Sequence, residues 1–360
     1  MKTIILFAAF AFLFMNQTHS QGCVIVRNIS GFGQYNLSDN SFTSSHWQLN
    51  IINRYFRSFR DFSGSENQHT LPENQNEIKS YSTDFTLSHF FNKGWSADFD
   101  IPVVANTRIT NSEHGGSGTP RYATHAFGIG DVRLTVYKWL LPNAISQKFD
   151  IQVGLGLKLP TGDYRYQDYF HRNDTTKVLA PVNLAIQPGD GGTGIVTELN
   201  SYYFFNEKLS AYADFYYLIN PRDQNGVSTT FGKTPTALQV EATNDVATVA
   251  DVFSIRAGVM YDLKKIALSL GYREEGVPVH DLVGGNDGVR RPGHNISAEP
   301  GVEYKMKKAS LYAYVPISIA HRINQSVPDA RATQITGVYT RGYGGSGDYQ
   351  IFVGATFKLD

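Results

Sequence analysis

The feature that most limits what this 360-residue chain can become is its alternation of apolar and polar residues, which returns almost to the C-terminus. In the stretch 149–159, Phe149, Ile151, Val153, Leu155, Leu157 and Leu159 share one face; Asp150, Gln152, Gly154, Gly156 and Lys158 share the other. The stretches 95–106, 208–219 and 348–358 behave the same way. Period two places every second side chain on the same face of a strand, so these segments form sheets with one apolar and one polar face. A soluble sheet and a membrane barrel both satisfy that pattern. Length separates them. Most segments run about ten residues or more, close to the ~9–11 that a tilted strand needs to cross the hydrocarbon layer. Strands of soluble proteins average about 5–6.

Twelve candidate strands fall at about 46–57, 80–91, 95–106, 129–140, 148–159, 195–205, 208–219, 251–261, 265–273, 295–305, 309–320 and 348–358. Their connections alternate between short turns, such as Asn206–Glu207 and Asp262–Lys264, and long loops, at about 58–79, 107–128, 160–194, 220–250, 274–294 and 321–347. Outer-membrane barrels carry short periplasmic turns and long extracellular loops. Aromatic residues lie near strand ends on the apolar faces: Trp47, Tyr55, Trp95, Tyr203, Tyr217, Tyr261, Tyr304 and Phe357. The expected fold is all-β, a transmembrane antiparallel up-and-down β-barrel of about 12 strands with both termini on the periplasmic side.

The N-terminus supports export. Lys2 precedes an apolar run, Ile4–Met15, which is too short to span a bilayer and fits a signal peptide cleaved after Ser20. The expected organisation is a signal peptide at 1–20, a segment at 21–45 and the barrel at 46–360. The middle segment is either a plug folded into the lumen or a periplasmic tail. Cys23 is the only cysteine, so no intramolecular disulfide forms. Its lipidation is an alternative that Ser20, where a lipoprotein signal prefers an aliphatic residue, argues against. No later segment holds 18 consecutive apolar residues, so a chain that spans a membrane must do so as a barrel.

Charge sets further bounds. The 32 basic and 32 acidic residues cancel, which argues against a nucleic-acid partner. The apolar faces carry little charge. Lys138 lies near a turn end where it can snorkel, and Arg57 and Asp251 are placed at the loop-side rim. Asn53 falls on the lipid face, and Pro102, Pro300 and Pro316 sit inside strands, where bulges are expected because proline cannot donate to a ladder.

The polar faces put Asp84, Asp98, Asp100, Asp131, Asp150, Glu198, Asp214, Glu299 and Glu303 inside, with Arg133, Lys158, Arg256, Lys305 and Lys358. Buried charges must meet water or each other. Such a lining either selects solutes or braces neighbouring strands; for a single residue bracing is the simpler reading. Asp131, Arg133 and Lys158 are expected to meet in one cross-strand network. No metal or cofactor site is apparent. The Gly-rich runs Pro188–Gly194 and His114–Gly118 lack the Lys-Ser/Thr of a phosphate loop and read as turns. His114, His125, His171, His280, His294 and His321 read as solvated loop histidines without zinc spacing. No G-x-S-x-G occurs. A Ser/His pair such as Ser297 with His294 would be needed for a membrane hydrolase, and nothing nearby supports it.

The stretch from Phe127 to Tyr166, with "GIGDVRL" and then "VGLGLKLPTGDY", resembles the outer-membrane transporter family named for the meta-pathway of phenol degradation, distantly similar to the long-chain fatty-acid channel. Gly128, Gly130, Asp131, Gly154, Gly156, Lys158, Pro160, Thr161, Gly162 and Asp163 carry the match. The terminal "FKLD" departs from the usual aromatic insertion signal, a role left to Phe357. The resemblance implies passive uptake of small hydrophobic or aromatic compounds, with outer-membrane lipid, a small-molecule solute and the barrel-assembly machinery as partners. A structural or surface-interaction barrel acting through its long loops is the rival reading. The oligomeric state is left open.

Overall fold

A computed structural model describes residues 46–359, apart from 69–74, 92–93, 117, 142–147 and 346. The signal peptide, the 21–45 segment and Cys23 lie outside the described residues.

The main sheet runs through β1 (Trp47–Ser58), β2 (Glu77–Phe90), β3 (Trp95–Thr110), β4 (Tyr122–Ile129), β5 (Arg133–Trp139), β6 (Phe149–Lys158), β7 (Gly194–Phe204), β8 (Leu209–Ile219), β9 (Val252–Asp262), β10 (Ile266–Val277), β11 (Gly293–Lys305), β12 (Ala309–Tyr314), β13 (Ile317–Ile323) and β14 (Tyr349–Lys358). Every pairing within it is antiparallel. β14 returns to β1, with Gln48 opposite Lys358 and Arg57 opposite Tyr349. The sheet therefore closes on itself and has no edge. β4 and β5 both pair with β3, and β12 and β13 both pair with β11. Each couple is one interrupted stave, so fourteen strands make a barrel of twelve.

The two interruptions sit where proline faces them. Pro102 is opposite Asp84 on one side, and on the other its carbonyl accepts from Gly130 N at 2.8 Å, beside the break between β4 and β5. Pro300 accepts from Val315 N at 3.0 Å, beside the break between β12 and β13, and Pro316 lies within that break. An antiparallel residue points its N–H and C=O at the same neighbour. The donor that Pro102 and Pro300 lack is therefore missing toward the gap, where the ladder is already open. A register shift follows at Ile296/Ser297.

The faces follow the alternation. Leu134, Val136, Leu155 and Leu157 are exposed, Leu155 at 64%, while Arg133, Thr135 and Lys158 are buried. In a closed barrel the exposed set is the outer wall, and its apolar character makes it a lipid surface. Trp47, Trp95, Tyr203, Tyr261, Tyr304 and Phe357 are exposed at the turn-side ends, as an interfacial girdle requires. Lys138 lays its ammonium 4.9 Å from the centre of the Trp95 ring there. Asn53 does lie on the outer face, and its oxygen accepts from Tyr81 Oη at 2.5 Å and Thr83 Oγ1 at 2.9 Å, so its polarity is covered on site.

Asp251 departs from expectation. It was placed on the outer rim and is fully buried. Its carboxylate accepts from Asn220 N, Leu282 N and Tyr217 Oη at 2.7–3.0 Å. The strand begins one residue later than predicted, at Val252, and Asp251 instead pins two long loops to the barrel.

The long loops themselves are built structure. They contain a hairpin of Gln167–His171 with Lys177–Pro181, a second pairing of Gln224–Ser228 with Val246–Thr248, and the helices α1 (Ala237–Glu241) and α2 (Val327–Thr336). α2 starts on a capping box of Ser326 and Asp329 and ends on Gly337 in the left-handed region, φ 71°. These elements cap one end of the barrel.

Candidate functional site: the barrel interior and its cavity

Interior residues pack through two devices. The first is glycine under tyrosine. A Cβ at Gly154 would come within 2.6 Å of the Tyr137 ring, and one at Gly354 within 2.3 Å of the Tyr312 ring. Large inward tyrosines lie flat only because the neighbouring strand offers no side chain there. The second device is ion pairing. Arg256 donates from Nε to Glu299 at 3.0 Å, pairs with the same carboxylate through Nη2, and reaches Asp214 at 3.5 Å. Arg273 donates to Glu275 at 2.8 Å and to Glu299 at 3.4 Å. Arg256 and Arg273 stand directly opposite each other on β9 and β10, and Glu299 accepting from both offsets that repulsion. All five groups are at most 5% exposed.

The predicted interior residues fall into distinct environments. Asp214, Arg256 and Glu299 belong to the layer just described. Asp100 and Arg133, opposite on β3 and β5, pair at 2.8 Å, and Thr86 donates to Asp100 at 3.0 Å. Asp84, Asp98 and Glu198 are buried on the same inner face. Glu303 is buried near the turn end, whereas Lys305 there is half-buried and pairs with Asp262. Lys358 is half-buried at the closing strand. Asp150 accepts from Leu141 N and Ile151 N at 3.1 and 2.8 Å, so backbone amides rather than a cation hold it.

The expected joint network of Asp131, Arg133 and Lys158 splits in two. Arg133 turns to Asp100. Asp131 is off the ladder, in the break between β4 and β5, and meets Lys158 at 3.6 Å. Arg133 and Lys158 are opposite in register, so like charge drives them to different carboxylates.

Around Asp131 the signature stretch ties itself together. Gly162 N and Asp190 N donate to the Asp131 carboxylate at 3.0 and 3.2 Å. Thr161 Oγ1 donates to the Gly130 carbonyl and accepts from Val132 N, both at 2.9 Å, bridging the interruption. Lys158 pairs with Asp190 as well. A Cβ at Gly162 would lie 2.7 Å from Gly189 N, and one at Gly189 2.6 Å from Gly162 O. Thus "GIGDV", "KLPTGD" and "PGDGG" are one interlocked unit, and its glycines allow the backbones to touch.

Above this unit lies a cavity of about 610 Å³ between the barrel interior and the loops. Arg54, Arg133, Lys158, Phe56 and Tyr216 line it from the strands and Asp131 from the break between β4 and β5; Tyr164, Gln187, Asp190, Arg290 and Arg341 line it from the loops. The residues of the Arg256 layer do not line it.

Sequence reasoning missed Arg54, Arg273 and Glu275, all buried inward. Parity would have found Arg54, because Trp47 outward fixes every odd position of β1 outward. Parity would also have found Arg273, the last residue of the predicted strand 265–273, whereas Glu275 needs the true end of β10, four residues beyond the predicted one. The histidines also need correction. His114 is fully buried, its Nδ1 accepting from His171 N at 2.9 Å, and His321 is buried with Nε2 2.7 Å from Ser318 Oγ. Burial, and then the charges of His171 and Arg172, push the His114 pKa down to about 4. Ser297 points inward, whereas His294 pairs at 3.0 Å with Glu274, whose ring partner Tyr272 is on the outer face, so the two form no catalytic pair. Among the described residues no group of three or more His, Cys, Asp or Glu would hold a metal ion.

A closed twelve-stranded barrel with an apolar outer wall, an aromatic girdle and an ionised interior is an outer-membrane β-barrel. Residues 59–278 match the family described as "Putative MetA-pathway of phenol degradation", and the chain belongs to it. No curated protein sequence matches the chain. Among solved structures, an outer membrane channel of Pseudomonas putida F1 is similar at 10% identity, over 92% of this chain and 99% of that one, with a TM-score of 0.58. The Ralstonia pickettii toluene transporter TbuX matches at 10% identity, over 92% and 96%, with a TM-score of 0.41. A Pseudomonas aeruginosa FadL homologue matches at 8%, over 88% and 91%, with a TM-score of 0.40.

Proposed function

We propose that this protein is an outer-membrane channel for passive uptake of small hydrophobic or aromatic compounds. The observation that carries the reading is the 610 Å³ cavity under the loops, large enough for a one-ring solute and walled in part by Phe56, Tyr216, Leu218 and Val182. Family membership adds to it, and the fold is shared with a protein described as an outer membrane channel. In this reading Asp84, Asp98, Asp100, Asp131, Arg133, Asp150, Lys158, Glu198, Asp214, Arg256 and Glu299 form the polar bore. Those in contact with the cavity act on solute and the rest hold the strands. Passive passage calls for no cofactor and no catalysis. The barrel-assembly machinery inserts the chain, and residues 1–20 direct its export.

One observation favours the rival, a surface-interaction barrel. Arg256, Arg273 and Glu299 are at most 2% exposed, so the layer they form lies out of reach of water, and the loops above are folded. Passage then requires that layer to move.

Influx into proteoliposomes holding the refolded protein separates the two. Small aromatics are compared with sugars and amino acids of similar size, each corrected for leakage into empty liposomes. Faster entry of the aromatics supports the proposed channel. Equal entry of all solutes indicates a general porin, and no entry above empty liposomes supports the surface-interaction barrel.

A further inference from the structure

We propose that the outer wall over β14, β1 and β2 carries a binding site for the phosphate of an outer-leaflet glycolipid, held by Arg57 and Lys79. The inference goes beyond the channel reading and stands whether or not the barrel conducts. Register places one outward row at the loop-side end: Tyr349 is opposite Arg57, Arg57 opposite Lys79, and Lys79 opposite Thr107. Two like charges directly opposite on neighbouring strands repel each other. Across the barrel, the same end of β6 to β8 carries Leu157, Ile195 and Ile219 in one row. The height of the pair is also specific. Arg57 is ten residues along β1 from the girdle residue Trp47, a rise of about 33 Å along the strand and about 25 Å along the barrel axis at a tilt of ~40°. That is the height of the apolar band of such barrels, so the pair stands at the headgroups of the outer leaflet.

The protein answers that repulsion only in part. Arg57 Nε donates to Glu77 Oε1 at 2.7 Å, and Lys79 Nζ lies 3.4 Å from the same oxygen. Arg121 reaches the other oxygen of Glu77 at 3.4 Å, so one carboxylate serves three cations. The acids nearby are held elsewhere: Asp348 by Arg60 and Phe59 N, and Asp168 by the amides of His125 and Tyr169. Among the described residues Arg57 spends only Nε on a protein oxygen, and the Arg57 and Lys79 side chains are 41% and 46% exposed. A phosphate seated between a forked guanidinium and a point-charge ammonium is bound by both and cancels their repulsion. The next row toward the midplane is Tyr55 opposite Tyr81, and Tyr81 is exposed. Aromatic rings with a polar tip suit the step between acyl chains and headgroups. Apolar, aromatic and cationic rows in that order fit a lipid whose phosphate sits at the head of its chains better than they fit a free anion.

The test uses the refolded protein in detergent micelles, with bound lipid counted by native mass spectrometry. The probes are diphosphoryl lipid A, the same lipid with its phosphates removed, and inorganic phosphate as the free anion. We expect diphosphoryl lipid A to bind, and the dephosphorylated lipid to bind about ten-fold more weakly, as loss of a charge-assisted hydrogen bond implies. The double variant Arg57→Gln with Lys79→Gln should weaken lipid A binding by about the same factor and leave binding of the dephosphorylated lipid unchanged. Arg57→Lys, which keeps the charge and loses the fork, should weaken it less. Lys138→Gln removes an outward cation at the turn-side girdle and should change nothing. Equal binding of the two lipids, lipid A binding untouched by the double variant, or an equal loss in Lys138→Gln overturns the proposal. Displacement of lipid A by inorganic phosphate at equal concentration also overturns it, because the site then reads free phosphate. If the double variant does not assemble, Lys79→Gln alone and the comparison of the two lipids on the wild type decide.

Discussion

Replacing Arg256 by methionine should cost the barrel about 3–5 kcal/mol, the usual effect of removing one partner from a buried ion pair. The geometry puts this residue near the upper part of that range. Arg256 is 1% exposed, so water does not screen it, and it contacts two carboxylates, Glu299 and Asp214. Without it, Glu299 retains only Arg273, which is shared with Glu275, and Asp214 loses its nearest cation. The assay is equilibrium urea unfolding of the refolded protein in phospholipid vesicles, followed by tryptophan fluorescence. The double variant Arg256→Met with Glu299→Gln removes the stranded charge along with its partner and should recover about half of the loss. A cost under about 1 kcal/mol for the single variant, or a double variant whose cost equals the sum of the singles, would refute the coupling argued here.

Three further outcomes are expected. Leu155→Arg places a charge on a strongly exposed part of the outer wall and should cost about 2–4 kcal/mol, the range for a cation at the midplane, read as loss of the heat-modifiable band on gels. Gly189→Ala forces a methyl group to within 2.6–2.7 Å of Gly162 O and Asp131 Oδ1; about 1–3 kcal/mol of destabilisation should follow, seen in the same urea titration. Acid should loosen the loop cap through His114. Its native pKa is about 4 against 6.5 unfolded, so the unfolded loop binds more protons between those values and stability falls as pH drops through that window. The loss reaches about 3 kcal/mol at most. Proteolysis within 111–121 should rise below pH 6 in the wild type and stay flat in His114→Gln, which has no proton to gain.

The barrel was legible because lipid on one side and a polar interior on the other impose a period of two that no local exception can hide for long. Leu134 and Leu155 fall on the expected face for that reason alone. The prolines were legible as anomalies, and their meaning became plain only with the partner strand in place: Pro102 and Pro300 aim their missing donors at gaps. What parity cannot tell is which inward charges meet. Arg133 chooses Asp100 over Asp131 because a three-residue interruption lifts Asp131 off the ladder. The loops hid most. Asp251, His114 and His321 look solvated in a linear reading, and each is buried by contacts that reach across 30 or more positions or from another loop. Local pattern carries no information about such contacts, so the cavity's loop wall was beyond it.

The closure of β1 on β14 also governs how the protein can be made. Thr356 donates to Asn50 across 306 positions of sequence, and neither strand has its full set of partners until the other arrives. Forming contacts of such long range exacts a large entropy loss before any gain, which slows folding. The last strand is also the last to be synthesised. The first eleven staves must therefore be kept from pairing with other chains until it is present, and a chain truncated before Tyr349 would expose two open strand edges and aggregate through them.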